Sequence, residues 1–474
     1  MKRENVIENF ERILSKEQVL TQEDLLQEYA TDITGLRMVQ KHFGWKSENL
    51  ATCILKIHTK EEASEVLKVL NEENIVSVPR TGGSGVCLGL ETPRESVVLD
   101  LSDMNEILNI NEENLTVTVQ AGVPLEVLEN TLNKKGYTTG HFPQSLPLAQ
   151  MGGLVATRSI GQFSTMYGGI EDLLVGIEAV LPNGEIVNIK NIPRKSTGPD
   201  LRHIWLGSEG TMGVITEVTV KIFPKPEERW MQAYAIDSFQ KGLDIIKEIV
   251  QTGWKPAVTR LHDATEAAES YGPFIEKGES IMLFLSEGPE GYPTLEGNAV
   301  DKIAKKYGAR ALGSKPLEVW LVHRNDICDH LDMYAKQGAV ADTCEISAMW
   351  SDIGKIYKEV IERVSKEVPH LVAVTGHSSH SYQQGTNIYF MMGAMCKPSI
   401  EEAQKTYDQL FGIIMETTLK YNGSICHHHG VGRYRAKWMK EELGSSYQML
   451  EKIKDAFDPN GIMNKGVLLP LSEK

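Results

Sequence analysis

The chain has 474 residues, 41% of them hydrophobic and 24% charged, with a formal net charge of −15. That length exceeds one hydrophobic core, so two or three structural units are expected, of ordinary globular composition. The acidic balance excludes a nucleic-acid binder, whose phosphates would be repelled, and the lack of any run of about 18 apolar residues excludes a membrane span. The opening MKRENVIENFERILSKEQV has no apolar core of a signal peptide. Cys53, Cys87, Cys328, Cys344, Cys396 and Cys426 are scattered without a CxxC pair, which predicts reduced thiols and a cytoplasmic location.

Residues 1–50 read as polar helices, with apolar residues at helical spacing in ENVIENFERIL. ATCILKIHT reads as a strand, EEASEVLKVLNEEN as a helix and IVSVPR as a second strand, a small α/β unit with a parallel pair. SVVLDL is a short strand, ILNINEENLTVTVQAG two strands about a turn, and PLEVLENTLNKKG a helix ended by Gly136. Residues 140–225 carry short β runs, with Pro182-Asn183-Gly184 as a hairpin turn. The two prolines of IFPKPEERW mark a boundary. Beyond it, MQAYAI, SIMLFLSEG and NIYFMMGAM alternate with helices at SFQKGLDIIKEIVQTG, around VDKIAKKYG and from about Ser399, and the chain closes on a helix stopped by Pro459. This pattern predicts an α+β protein with an antiparallel sheet in its second half. The expected units are residues 1–225, 226–425 and a closing segment 426–474.

Directly after the second strand comes Pro79-Arg80-Thr81-Gly82-Gly83-Ser84-Gly85. Glycines let successive backbone N–H groups approach a pyrophosphate with no Cβ in the way. The run is neither a Walker loop nor a clean dinucleotide fingerprint, and taken alone it reads equally well as a tight turn. Three further glycine-dense loops follow, around Gly152-Gly153, Gly168-Gly169 and Gly207–Gly213, each between apolar segments. Repeated use of glycine in this way suggests backbone wrapped about a long ligand.

TGGSGVCLGL, INEENLTVTVQAGVPLEVLENTLNKKGYTTGHFP, GGIEDLLVGIEAVLPNGEIV and LGSEGTMGVITEVTVKIFP resemble the FAD domain of the vanillyl-alcohol-oxidase (PCMH-type) flavoenzymes. Within that superfamily, STGPDLRHIWLGSEGTMGVITE and HHHGVGRYRAKW are most similar to alkylglycerone-phosphate synthases, and the glycolate oxidase and D-lactate dehydrogenase flavoproteins are also similar. The resemblance implies a two-subdomain PCMH-type FAD-binding domain followed by an α/β cap domain that takes the substrate. It implies FAD held at Pro79, Arg80, Thr81, Gly82, Gly83, Ser84 and Gly85, with Pro143, Gln144, Ser145, Gly152, Gly153, Thr157, Glu209, Gly213 and Ile215 lining the rest of the cofactor. Some relatives attach the flavin through a histidine of the first glycine loop. Residues 79–90 contain none, so the FAD is expected to be non-covalent.

A second cluster gathers His377, His380, Tyr382, His427, His428, His429 and Tyr434, with Arg433 and Arg435 beside them. Histidines titrate near neutrality and suit proton transfer at an alcohol or acid, and arginines suit an anion. The resemblance implies Tyr382 as acid/base, His427, His428 and His429 beside the flavin, and Arg260 lining the substrate site. Arg260 as a plain strand arginine is the alternative, and His380 joins the catalytic set from its place in SHSY. No metal is assigned. Three consecutive side chains cannot converge on one ion from regular backbone, and the ligand positions of the related hydroxy-acid dehydrogenases read Tyr389 and His428 here. An arginine that relatives carry upstream of the Glu345–Trp350 segment is replaced by Leu331 or displaced to Arg324.

The expected activity is an FAD-dependent oxidoreductase on a small hydroxylated anion, a 2-hydroxy acid or similar, with hydride passing to flavin N5. The alternatives are a synthase-type enzyme using an N5 adduct without net redox and a flavoprotein subunit of a multi-component dehydrogenase. A homodimer is expected, with an electron-transfer protein as the alternative partner.

Overall fold

A computed structural model describes residues 3–471. Its first sheet has four strands in the order Val19–Leu20, Cys53–Lys56, Val97–Asp100, Ser77–Arg80. The helix Lys60–Glu72 connects Cys53–Lys56 to Ser77–Arg80, as the sequence pattern predicts. Those two strands do not pair with each other, however. Both run parallel to Val97–Asp100, which enters between them. The inserted strand is buried at all four positions, as a central parallel strand covered on both faces must be.

The second sheet has five strands in the order Ile107–Asn111, Thr116–Gln120, Val214–Lys221, Leu174–Val180, Ile186–Ile189. Two hairpins flank Val214–Lys221, and all pairs are antiparallel. Gly184 closes the second hairpin at φ +84°, a conformation that favours glycine.

The third sheet has seven strands in the order Arg310–Gly313, Glu228–Ile236, Ser280–Gly288, Val258–His262, Leu371–Ser378, Gly385–Met395, Ala339–Met349, antiparallel throughout. Its apolar core includes Leu243, Ile246, Val300, Ile356, Val360, Phe411 and Ile414 from the helices Phe239–Gln251, Tyr292–Lys306, Ile353–Glu367 and Ile400–Lys420. Side chains alternate across a strand. Leu261 joins this helical core, while Val258 packs with Phe163, Tyr167 and Trp320 in a separate cluster. Arg260 and His262 share the parity of Val258 and so belong to that second face. It is the face on which the site is built.

The closing helix Tyr447–Phe457 ends just before Pro459, and residues 462–464 return to the first sheet. Ser77 donates its amide to the Ile462 carbonyl at 2.7 Å and accepts from the Asn464 amide at 2.8 Å. Among the described residues no helix is long and apolar enough to cross a membrane. Cys87, Cys344, Cys396 and Cys426 carry free thiols, and Cys328 lies outside the described side chains.

Candidate active site

The strand Ser77–Arg80 delivers the chain into the first glycine loop. Among the described residues, no protein acceptor takes the amide N–H of Thr81, Gly82, Gly83, Ser84 or Gly85. A Cβ on Gly82 would stand 2.0 Å from the Leu148 carbonyl oxygen, and one on Gly153 would stand 2.7 Å from Thr81 Oγ1. The first and second glycine segments are therefore pressed together, and the first still presents a row of free donors. Gly83 sits at φ +68° with the Arg80 side chain folded over it, and the Arg80 guanidinium lies 4.4 Å from the Tyr29 ring centre. Such a row of free amides fits a pyrophosphate.

The remaining expected cofactor residues take several places. Pro143 and Ser145 open a turn, their carbonyls accepting from Leu146, Leu148 and Ala149. Gly152 is packed against Ala121, and Thr157 Oγ1 donates to the Gly153 carbonyl at 2.9 Å. Gly213 has its Cα beneath the Val180 carbonyl, and the Ile215 side chain is buried in the core of the five-stranded sheet. The carboxylate of Glu209 is engaged elsewhere. It accepts the amides of Val431 and Gly432 at 2.7 and 2.8 Å, and burial pushes its pKa up to about 7. Asp32, which the sequence reading does not single out, does similar work at the loop's exit. It accepts the amides of Leu88 and Gly89 at 3.1 and 2.9 Å, and burial raises it to about 6.

The chemical end of the site lies where residues 142–172 meet the seven-stranded sheet and the loop 426–430. The Tyr382 hydroxyl is 2.8 Å from His427 Nε2, and His427 Nδ1 is 2.8 Å from His428 Nδ1. His380 lies across this pair, its ring stacked 5.1 Å from that of His427, with its Nδ1 2.7 Å from Ser164 Oγ. Burial lowers the pKa of His380 and His428 and takes His427 down to about 4, so all three rings are neutral near pH 7. Burial also raises Tyr382. Neutral groups allow the order in which Tyr382 O–H donates to His427 Nε2 and His427 Nδ1–H donates to His428 Nδ1, the order that leaves a relay away from the phenol.

His429 does not join them. Its Nδ1 is 2.7 Å from Glu345, a fully buried carboxylate that also accepts the amides of His428 and His429 at 3.2 and 2.8 Å. The histidine loop is wrapped around Glu345, and this splays the three consecutive rings. Two of them do converge with His380, however, with one nitrogen of each ring within 4.8 Å of the others. A second such group is His262, Glu266 and His377.

Arg435 and Arg433 are not anion holders, contrary to the sequence reading. Arg435 is 1% exposed and gives both terminal nitrogens to Glu345 at 3.1 and 2.7 Å. Arg433 donates to the carbonyls of Leu88 and Gly89 and to Asn464. Tyr434 donates to Asp408, away from the site. Motif proximity placed these side chains near the histidines, but the wrap around Glu345 turns them inward.

The cationic groups that remain are Arg260 and Arg324. Arg260 is 7% exposed, its guanidinium 5.1 Å from the Trp320 ring. Arg324 stands 5.8 Å from the same ring, near Phe142 and Phe163, and donates to Gln162 Oε1 at 3.2 Å. Among the described residues neither has a carboxylate within ion-pair distance, whereas Arg229 nearby is paired with Glu287. Burial, and then the charges of Arg229 and Arg260, push Arg324 down to about 10.

The FAD binding domain family matches residues 51–190, and the family of FAD linked oxidases, C-terminal domain, matches residues 225–468. An uncharacterized FAD-linked oxidoreductase of Escherichia coli strain K12, YgcU, is 43% identical over the full length of both chains. The chain belongs to the FAD-linked oxidoreductases. An alkyldihydroxyacetonephosphate synthase of Caenorhabditis elegans is 30% identical over 86% of this chain and 74% of its own. A solved alkyldihydroxyacetonephosphate synthase superposes with a TM-score of 0.82 at 22% identity, covering 98% of this chain and 84% of the other. A solved p-cresol methylhydroxylase superposes with a TM-score of 0.79 at 16% identity over 99% of this chain and 98% of the other, so the fold is that of the PCMH-type flavoenzymes, and FAD is the cofactor of this FAD-linked oxidoreductase.

Sequence reasoning passed over several residues of the oxidoreductase's site. Ser164 carries no local motif, and Glu345 is legible only as the start of the Glu345–Trp350 segment and not in its role, because each acts on a residue far along the chain. His262 and Glu266 had a legible signal. They stand four apart across Asp263, which caps the helix Ala264–Tyr271 by accepting the amides of Thr265 and Glu266. His141 is buried with neither ring nitrogen hydrogen bonded to protein, and burial takes it down to about 4.

Proposed function

We propose that this flavoenzyme oxidises a small hydroxylated anion, the FAD accepting a hydride from the carbon that bears the hydroxyl. The observation that carries this reading is the pairing of buried Arg260 and half-buried Arg324, neither with a carboxylate partner among the described residues, with a neutral phenol–imidazole chain beside them. Burying a guanidinium is costly unless a counter-charge or bidentate acceptor meets it. An anionic substrate head supplies that acceptor. Its hydroxyl then faces His380 and the Tyr382–His427–His428 chain, which takes the proton as the hydride leaves. Arg324 answers for the family arginine displaced from position 331.

Residues 79–85 and 143–157 would hold the FAD, with no histidine between residues 79 and 90 to attach it covalently. Thr81 to Gly85 would supply amides to its pyrophosphate, and Gly152 and Gly153 would leave room for it.

Anaerobic addition of 2-hydroxy acids, hydroxylated phosphate esters and neutral alcohols to the yellow protein tests the proposal. Bleaching by an anionic hydroxy compound is expected, and a flavin that no such compound reduces would refute it. The likeness to alkyldihydroxyacetonephosphate synthases favours a second reading, exchange without net redox, in which the same phenol–imidazole chain removes a proton from carbon. Conversion of an acyl-dihydroxyacetone phosphate without bleaching would select that reading.

A further inference from the structure

The seven-stranded sheet holds a second buried cluster that the proposed proton chain does not use. Glu266, 5% exposed, accepts from His262 Nδ1 at 2.7 Å and from His377 Nδ1 at 3.0 Å to each of its oxygens. His262 and His377 are 3% and 6% exposed. The two imidazoles bring the carboxylate well below its usual range, and burial takes His377 down to about 4. An ionised carboxylate with two acceptor oxygens fixes both rings as Nδ1–H donors. The lone pair of His262 then belongs at Nε2 on its far side, since that nitrogen receives the Arg260 Nε–H. Arg260 Nε lies 3.4 Å from that lone pair and donates to it.

The order is therefore carboxylate, imidazole, guanidinium. We propose that Glu266 and His262 are positioning residues for Arg260. Glu266 holds His262 in the tautomer that accepts from Arg260 Nε and supplies the guanidinium's counter-charge from one ring away. The two terminal nitrogens of Arg260 stay free for the substrate anion. A carboxylate in direct contact would occupy them, as Glu345 occupies those of Arg435. Asp263 sets the arrangement. It caps the Glu266 helix and accepts the Gly376 amide at 2.7 Å, locking helix and His377 strand in register. This inference rests on the reading of Arg260 as the substrate-anion holder.

The test uses the FAD-loaded protein and follows flavin absorbance as oxalate, inorganic phosphate or neutral benzyl alcohol is titrated in. E266Q is expected to weaken the anions roughly 10- to 100-fold, the span of one hydrogen bond to a charged group, and to leave benzyl alcohol unchanged. R260A should do the same, and the double variant should be no weaker than R260A alone, because both remove one interaction. H262Q, whose amide oxygen can accept from Arg260, should recover most of the anion affinity lost in H262F, and it serves if E266Q does not fold.

Equal weakening of the neutral ligand in E266Q, or full additivity with R260A, would overturn the proposal. So would a stoichiometric metal ion in the wild type that E266Q loses, since the carboxylate would then bind the metal and not two N–H groups. Normal anion binding in R260A would instead remove the underlying reading of the site.

Discussion

The Tyr382 hydroxyl lies 2.8 Å from His427 Nε2, joining a strand end of the seven-stranded sheet to the loop 426–430. Removing that hydroxyl opens the proton chain at its first link while leaving the ring and its packing. Y382F should therefore slow substrate-dependent flavin reduction by roughly 100- to 10,000-fold, the usual worth of a positioned acid or base. Stopped-flow reduction under anaerobic conditions reads the rate, and an unchanged flavin content shows that the cofactor site is intact.

The same chain sets a pH dependence. In the proposed chain His427 can take the tyrosine's proton only while neutral, and burial holds its pKa at about 4. Because this value is depressed, the active form is present above it and is lost as pH falls through it. The rate of flavin reduction should keep its value down to about pH 5 and fall near 4. An acid limb at the ordinary histidine value of about 6.5 would show that the ring is not held in this environment.

Arg324 lies over aromatic rings and donates to Gln162, and among the described residues it has no carboxylate partner. R324A should lower kcat/KM for an anionic substrate by roughly 10- to 100-fold through KM. Turnover of a neutral alcohol should be unaffected or slightly improved, since a half-buried like charge near Arg260 is removed. Steady-state kinetics on the two substrate types separates these outcomes.

Gly82 has no room for a side chain, because a Cβ would lie 2.0 Å from the Leu148 carbonyl. G82A should push apart the two glycine segments proposed to hold the pyrophosphate. The purified variant should show a markedly lower flavin-to-protein absorbance ratio than the wild type, with a circular dichroism spectrum that still reports a folded chain.

Glu345 and Arg435 form a fully buried pair that also organises the histidine loop. R435A leaves the carboxylate without its bidentate partner. It should destabilise the protein by about 3–5 kcal/mol, visible as a lower urea midpoint, and should disturb the loop 426–430 enough to slow flavin reduction as well.

Much of this molecule is local in origin, and that part was legible. The helix Lys60–Glu72, the hairpin at Gly184, the helix that starts after Ser399 and the stop before Pro459 follow from periodicity, capping and turn chemistry within a few residues. The glycine loop and the chain-wide family pattern were enough to name the cofactor, because backbone approach to a pyrophosphate demands glycine wherever it occurs. Other features depend on contacts that no window of sequence contains. Val97–Asp100 pairs between two strands joined by a helix, a choice made by burial on both faces. Arg433 and Arg435 follow the three histidines by a few residues and share their apparent chemistry, yet Glu345, far upstream, and the loop at Leu88 claim them. The family resemblance points to Arg260 and Arg324 one at a time, from far apart in the chain. Only the folded sheet puts them on one tryptophan without a carboxylate between them, since pairing of buried charges is decided by distance in space and not along the chain.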